Sequence, residues 1–171
     1  VRSRAAFLVA VLVQVALMAA VPATKVWVRS TGRPVLLTLR PADPYDPFRG
    51  YHLVLAYDIG DASRFENADL ANGRRTLWTI LEIDDEGIGR PVRLADERPA
   101  SVAANEIVLR GKARGGRMTY GIETFYIPER GRGDLETRFR EGLADARAEV
   151  KVGSTGDAAL VALHLGDEVL R

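Results

Sequence analysis

Pro41–Tyr57, PADPYDPFRGYHLVLAY, decides how this chain is read. Three prolines (Pro41, Pro44, Pro47) interleaved with Asp43 and Asp46 exclude a helix. Each proline fixes φ and lacks a backbone donor, and each Asp side chain can close a turn. Beyond Arg49-Gly50 the pattern becomes a strand. Tyr51, Leu53, Leu55 and Tyr57 fall on one face at a period of two, with His52, Val54 and Ala56 on the other. A turn-rich loop feeding a half-apolar strand points to a β-rich domain.

Upstream of this stretch lies an apolar segment. Ala5–Val21 (AAFLVAVLVQVALMAAV) is seventeen residues with Gln14 as its only polar interruption, behind Arg2 and Arg4. As a helix it spans about 25 Å, short of the roughly 30 Å hydrocarbon core. Continuation through Pro22 to Val28 makes up the difference and puts Trp27 at the interface. A cleavable signal peptide is the rival reading, because Val21-Pro22-Ala23 offers small residues at a cleavage site. Both stay open, and the layout favours the anchor. In either case the short basic tail stays inside and the domain lies outside the cytoplasm.

Downstream, alternation predicts strands at Val35–Arg40 and Thr76–Ile83. Glu106–Arg110 and Met118–Ile127 read as a hairpin around a Gly-rich tip, Gly111–Arg117, with Met118, Tyr120, Ile122 and Tyr126 sharing a face. Asp61–Arg75 is polar and reads as a loop with a helical turn at Ala68–Ala71. Asp134–Ala146 has Leu135, Phe139 and Leu143 at helical spacing behind a capping Asp134 and is expected to be the one soluble helix. Ala148–Val152 and Ala158–Leu165 form a closing hairpin. The expected fold class is therefore α+β, mainly β: an N-terminal transmembrane helix, then one antiparallel β-rich domain with a single helix in its C-terminal half. The expected division is an anchor or signal segment at 1–28 and a β-rich extracytoplasmic domain at 34–171.

Composition removes several classes of function. The chain has 171 residues, a net charge of +1 and no cysteine, which excludes disulfides, thiolate metal sites and Cys nucleophiles. Setting aside Arg2 and Arg4 leaves 22 basic against 23 acidic residues, without the basic excess of a nucleic-acid-binding surface. Arg outnumbers Lys 21 to 3, which reads as codon usage rather than as a set of anion-binding forks.

Gly50–Tyr57, G-Y-H-L-V-L-A-Y, resembles the bacterial family named for its own motif, the GDYXXLXY proteins. Arg49, Gly50, Leu55 and Tyr57 match, as do Asp43, Pro44 and Asp46 upstream; Tyr51 and His52 replace the motif's Asp and Tyr. Gly121-Ile122-Glu123, then Tyr126-Ile127-Pro128-Glu129, is similar to the family's later Gly-x-Glu…Tyr-x-x-Pro-Glu segment. The resemblance implies a small bacterial membrane-associated protein of uncharacterised role, often encoded beside polytopic membrane proteins. It makes Asp43, Pro44, Asp46, Arg49, Gly50, Leu55, Tyr57, Gly121, Glu123, Tyr126, Pro128 and Glu129 the candidate binding positions. The replaced Asp removes any role that needed that carboxylate.

The residues themselves point to no reaction. Asp43, Asp46, Arg49 and His52 form the densest polar cluster, which reads as a turn-capping clasp in preference to a cation site or acid/base pair. His52 and His164 are the only histidines, and no metal or cofactor is expected. Among Ser/Lys combinations only Ser101 with Lys112 suits a signal-peptidase-like hydrolase, and neither sits in a nucleophile turn. Arg110–Arg117 carries four basic residues and reads as a solvated hairpin tip. The expectation is a membrane-anchored binding or accessory domain that partners a polytopic envelope protein at the inner membrane, leaning away from catalysis. A degenerate envelope hydrolase and a secreted soluble binding protein are the alternatives.

Overall fold

Leu37, Leu53, Leu77, Leu81, Leu109 and Leu163 are completely buried, and they come from three separate sheets. The computed structural model describes residues 2–40, 48–49, 52–126, 145–166 and 168–170. Helix α1 (Arg2–Thr31) comes first. The strands follow as β1 (Arg33–Arg40), β2 (Phe48–Arg49), β3 (His52–Val54), β4 (Ala56–Tyr57), β5 (Arg75–Ile83), β6 (Gly89–Ala95) and β7 (Glu106–Arg114). Then come β8 (Arg117–Thr119), β9 (Thr124–Tyr126), β10 (Arg147–Val152), β11 (Ala158–Leu165) and β12 (Glu168–Leu170).

All the ladders are antiparallel. A five-stranded sheet runs β12-β11-β10-β1-β4, a four-stranded sheet runs β6-β5-β7-β8, and a small sheet runs β2-β3-β9. Each large sheet turns one face inward, as period-two alternation requires. Val35, Leu37 and Leu39 of β1 and Ala148, Val150 and Val152 of β10 join Leu77 and Leu81 of β5 and Ile107 and Leu109 of β7 in one core. Mainly β with antiparallel sheets is therefore the fold class.

The strands with clean alternation lie where the sequence puts them: β1, β5 and the β10–β11 hairpin. Two readings need correction. The Gly-rich tip shrinks to Gly115 and Gly116, both left-handed (φ +56° and +77°), because β7 continues through Arg114. Arg110, Lys112 and Arg114 are exposed while Gly111 and Ala113 are buried, so a small/basic alternation is a strand in disguise. The expected Met118–Ile127 strand is also broken. Gly121 (φ +74°) divides it into β8 and β9, which belong to different sheets, and Tyr126 ends up 76% exposed while Met118, Tyr120 and Ile122 are buried. Strand β6 escapes a sequence reading because Pro91 and two arginines interrupt its apolar pattern. It sits at a sheet edge, where proline is tolerated. The helix expected at Asp134–Ala146 lies outside the described residues except for Asp145 and Ala146; the Ala146 carbonyl accepts from Leu39 N–H at 3.1 Å.

Helix α1 contains Pro22, and its halves Ala6–Ala20 and Pro22–Thr31 meet at 42°. A proline inside a helix removes one hydrogen bond and crowds the preceding turn, which accounts for the bend. No single helix is long and apolar enough to cross a membrane; the bent pair passes together by length and composition. The last turns of α1 dock on β10 and β11. Val28 is buried there and its carbonyl accepts from Gly32 N–H at 2.9 Å, turning the chain into β1.

Three 3-10 turns, at Asp58–Gly60, Ala62–Arg64 and Ala68–Asn72, carry the chain from β4 to β5. Asp61 organises the first two. Its carboxylate accepts from Ser63 Oγ (2.7 Å), Ser63 N–H (3.1 Å) and Arg40 (2.9 Å). Those donors, the Ser63 hydroxyl first, hold its pKa down to about 2 from 3.8. A carboxylate more acidic in the folded than in the unfolded state stabilises the fold above its unfolded pKa and ceases to do so as pH falls through the folded value. The melting temperature is therefore expected to drop between about pH 4 and pH 2. Asp61→Asn should flatten part of that drop, while Asp84 and Glu106, also held low by backbone N–H groups, keep the rest. An acid limb identical in Asp61→Asn and wild type would show that this turn does not contribute.

Candidate functional site

The two motif segments, some 65 residues apart, form one clasp. β3 pairs with β9, setting His52 against Tyr126, Leu53 against Phe125 and Val54 against Thr124. The ladder is extended where Leu55 N–H donates to the Glu123 carbonyl at 2.8 Å. The Tyr57 hydroxyl then donates to the Ile122 carbonyl at 2.8 Å. Leu55 and Tyr57, the last two positions of the first motif, are thus buried parts of the core that hold the second segment in place. Burial first, and then the Glu123 charge, push the Tyr57 phenol far above its ordinary pKa, so it stays a donor.

Tyr120 closes the other side. Its hydroxyl lies 2.9 Å from the Ile59 carbonyl and 3.0 Å from Thr79 Oγ1. The phenol proton goes to the carbonyl, so Thr79 donates to Tyr120. Desolvation dominates the upward shift of this phenol, and Glu123 adds to it. Gly111 makes room for the ring, since a Cβ there would stand 2.8 Å from Tyr120 Cε1. Each phenol donates its proton to a backbone carbonyl. Among the described residues no buried side-chain polar atom lacks a partner.

Where the second motif reaches the surface there is a cleft of about 460 Å³. Gly121 and Glu123 form one wall, and Thr76, Arg110, Lys112 and Asp157 the other. Glu123 is fixed by accepting from Tyr120 N–H, and Asp157 by an ion pair with Arg110 at 2.7 Å. The cleft has the volume of a small-molecule site and carries two cations and two carboxylates. That charge pattern suits a polar ligand or an inserted loop.

The other candidates do not converge on it. Asp43, Pro44, Asp46, Gly50, Pro128 and Glu129 lie outside the described residues, and of Arg49 only the backbone is described, paired with His52 in β2–β3. Tyr126 is on the surface, on the far side of Gly121 from the cleft, in a second groove. His164 pairs with Glu149 at 3.2 Å, and no group of three His, Asp or Glu able to hold a metal occurs among the described residues. Ser101 lies in the loop that precedes β7, and Lys112 lies near the far end of that strand. The Glu106 carboxylate at the start of β7 accepts from Ala103 N–H. Lys112 lies six residues further along, about 20 Å away. The cleft walls from β5 and β7 escaped the sequence reading because Thr76, Arg110 and Asp157 meet only through strand pairing and the β10–β11 turn.

No curated protein and no solved structure matches the chain. The family model described as GDYXXLXY protein matches residues 14–163, which includes both motif segments and the second half of α1. Leu55, Tyr57 and the Gly121–Glu123 turn that they hold all fall within the matched span, and the chain belongs to the GDYXXLXY protein family.

Proposed function

We propose that the chain is a membrane-anchored domain outside the cytoplasm of a bacterium, held at the inner membrane by α1, which binds a polytopic membrane protein through the Glu123 cleft. The observation that carries this reading is the contrast within α1. Phe7, Leu8, Leu12, Leu17 and Met18 are all at least 60% exposed, while the far end of the same helix is packed into the domain. A continuous apolar surface of that kind needs a lipid or protein environment. Binding is favoured over catalysis because Arg110 is paired with Asp157, Glu123 is held by Tyr120 N–H, and the phenols of Tyr57 and Tyr120 are hydrogen-bonded to carbonyls. The finer steps, anchoring and partnership, are tested separately.

Membrane fractionation with N-terminal sequencing is expected to recover the chain with residues 1–23 intact in the integral membrane fraction. A mature chain beginning at Thr24 and free in the soluble fraction would replace the anchor with a signal peptide. A photoreactive residue at Thr119, on the cleft rim, is expected to cross-link in intact cells to a polytopic membrane protein. Cross-linking to lipid alone, or no product, would remove the partner claim.

A further inference from the structure

A second groove, of about 320 Å³, runs between the end of α1 and the segments Gly121–Tyr126 and Ala159–Val161. Among the described residues Lys25 and Arg29 are the only charged ones that line it, and the rest of its wall includes Ile122, Phe125 and Leu160. Both cations have neutral partners: Lys25 Nζ donates to the Ala158 carbonyl at 2.7 Å, and Arg29 reaches the Val161 carbonyl at 3.5 Å. Among the described residues no carboxylate is within ion-pair distance of either. Elsewhere on the domain the arginines of the salt bridges do find carboxylates, Arg40, Arg64, Arg75, Arg90, Arg93 and Arg110 among them. Two positive charges with no carboxylate partner among the described residues, beside an apolar wall, fit an anionic, partly apolar molecule.

The position of the groove along α1 says which one. Lys25 and Arg29 follow the apolar segment that ends at Val21 by four and eight residues. That is about 6 and 12 Å of helix, and somewhat less in depth after the 42° bend. The headgroup layer on each side of a bilayer is about 5–8 Å thick. With Ala5–Val21 in the hydrocarbon, Lys25 sits among headgroups and Arg29 at their outer edge. Trp27, 68% exposed and turned away from the sheet, is at the depth where aromatic residues anchor helices. Gly121 completes the wall: its left-handed turn brings the β9 segment beside Lys25 Nζ, 3.8 Å from where a Cβ would stand.

We infer that this groove holds the headgroup of an anionic phospholipid, with Lys25 and Arg29 on the phosphate and the apolar wall against the glycerol and upper chain. The site rests on the anchoring of α1 proposed above. It gives the second motif segment two sides, one toward the Glu123 cleft and one toward the membrane, with Gly121 shared between them.

The test uses the full chain reconstituted in vesicles of phosphatidylcholine alone and in vesicles containing phosphatidylglycerol. Flotation reports anchoring, and amide hydrogen exchange over 121–126 and 159–161 reports the groove. The chain is expected to float with both vesicles, with slower exchange in these segments only when phosphatidylglycerol is present. Native mass spectrometry of the detergent-extracted protein should show phosphatidylglycerol retained over phosphatidylcholine by about 30-fold, the product of two basic residues near an anionic surface. Lys25→Gln/Arg29→Gln is expected to abolish both effects and still float. Arg29→Gln alone, whose carbonyl contact is long, guards against a folding defect and should lose most of the preference, while Arg29→Lys restores it. Flotation with both vesicles but identical exchange and no lipid preference would overturn the headgroup site and leave the anchor intact. Failure to float with either would overturn the anchor on which the site depends.

Discussion

Gly156→Val is expected to destabilise the domain by about 3–5 kcal/mol, because left-handed strain and overpacking act at the same position. Gly156 has φ +80°, and a Cβ there would lie 2.6 Å from Trp78 Cζ3 and 3.1 Å from the Arg110 nitrogen. Its carbonyl accepts from Arg110 N–H at 2.8 Å, while Asp157 pairs with the Arg110 guanidinium. This turn therefore joins the β10–β11 hairpin of one large sheet to β5 and β7 of the other. The Arg98 guanidinium lies over the Trp78 ring, 5.9 Å from its centroid, and any shift of the ring disturbs that contact. Urea denaturation of wild type, Gly156→Ala and Gly156→Val decides the matter. Ala should fall between the other two, and equal midpoints for all three would show that the turn is not packed as described.

Tyr120→Phe is the second large effect, about 2–4 kcal/mol, because one hydroxyl serves two buried partners. Its loss strands the Ile59 carbonyl and leaves the hydroxyl of Thr79, which is fully buried, without its acceptor. The raised pKa of Tyr120 makes it a protonated donor across the working pH range, so the loss is that of a neutral hydrogen bond and is independent of pH there. Thr79→Val removes the second partner. The double variant Tyr120→Phe/Thr79→Val should be more stable than the sum of the two single effects, by about 1 kcal/mol, since the stranded hydroxyl is gone. Additive single effects in the double-mutant cycle would show that the two side chains are not coupled.

Where a strand alternates cleanly the sequence was enough. Val35, Leu37 and Leu39 are buried in β1 as their spacing requires, and Leu53, Leu55 and Tyr57 share the inward face read from the motif. Even there the single strand read from Tyr51–Tyr57 divides: β3 pairs with β9 and β4 with β1, in different sheets. Periodicity records which residues face inward and is silent on the partner strand. Gly111–Arg114 was misread for a related reason. Gly and basic residues are turn and surface signals locally, yet pairing with both β5 and β8 keeps the segment extended.

The site shows the same division. Glu123 and Tyr126 were grouped by a motif, but the left-handed Gly121 and the switch of sheets send one into the cleft and the other to the groove beside α1. Family membership, the apolar N-terminal helix, the inward faces of the long strands and the absence of cysteine chemistry were all written in local residue patterns, which depend on a few neighbours along the chain. The clasp of Tyr57 on Ile122, the Tyr120–Thr79 pair, the seating of α1 on β11 and both grooves depend on contacts between residues more than forty positions apart. Such contacts exist only after the sheets have paired, because pairing is what balances the entropy of closing those loops.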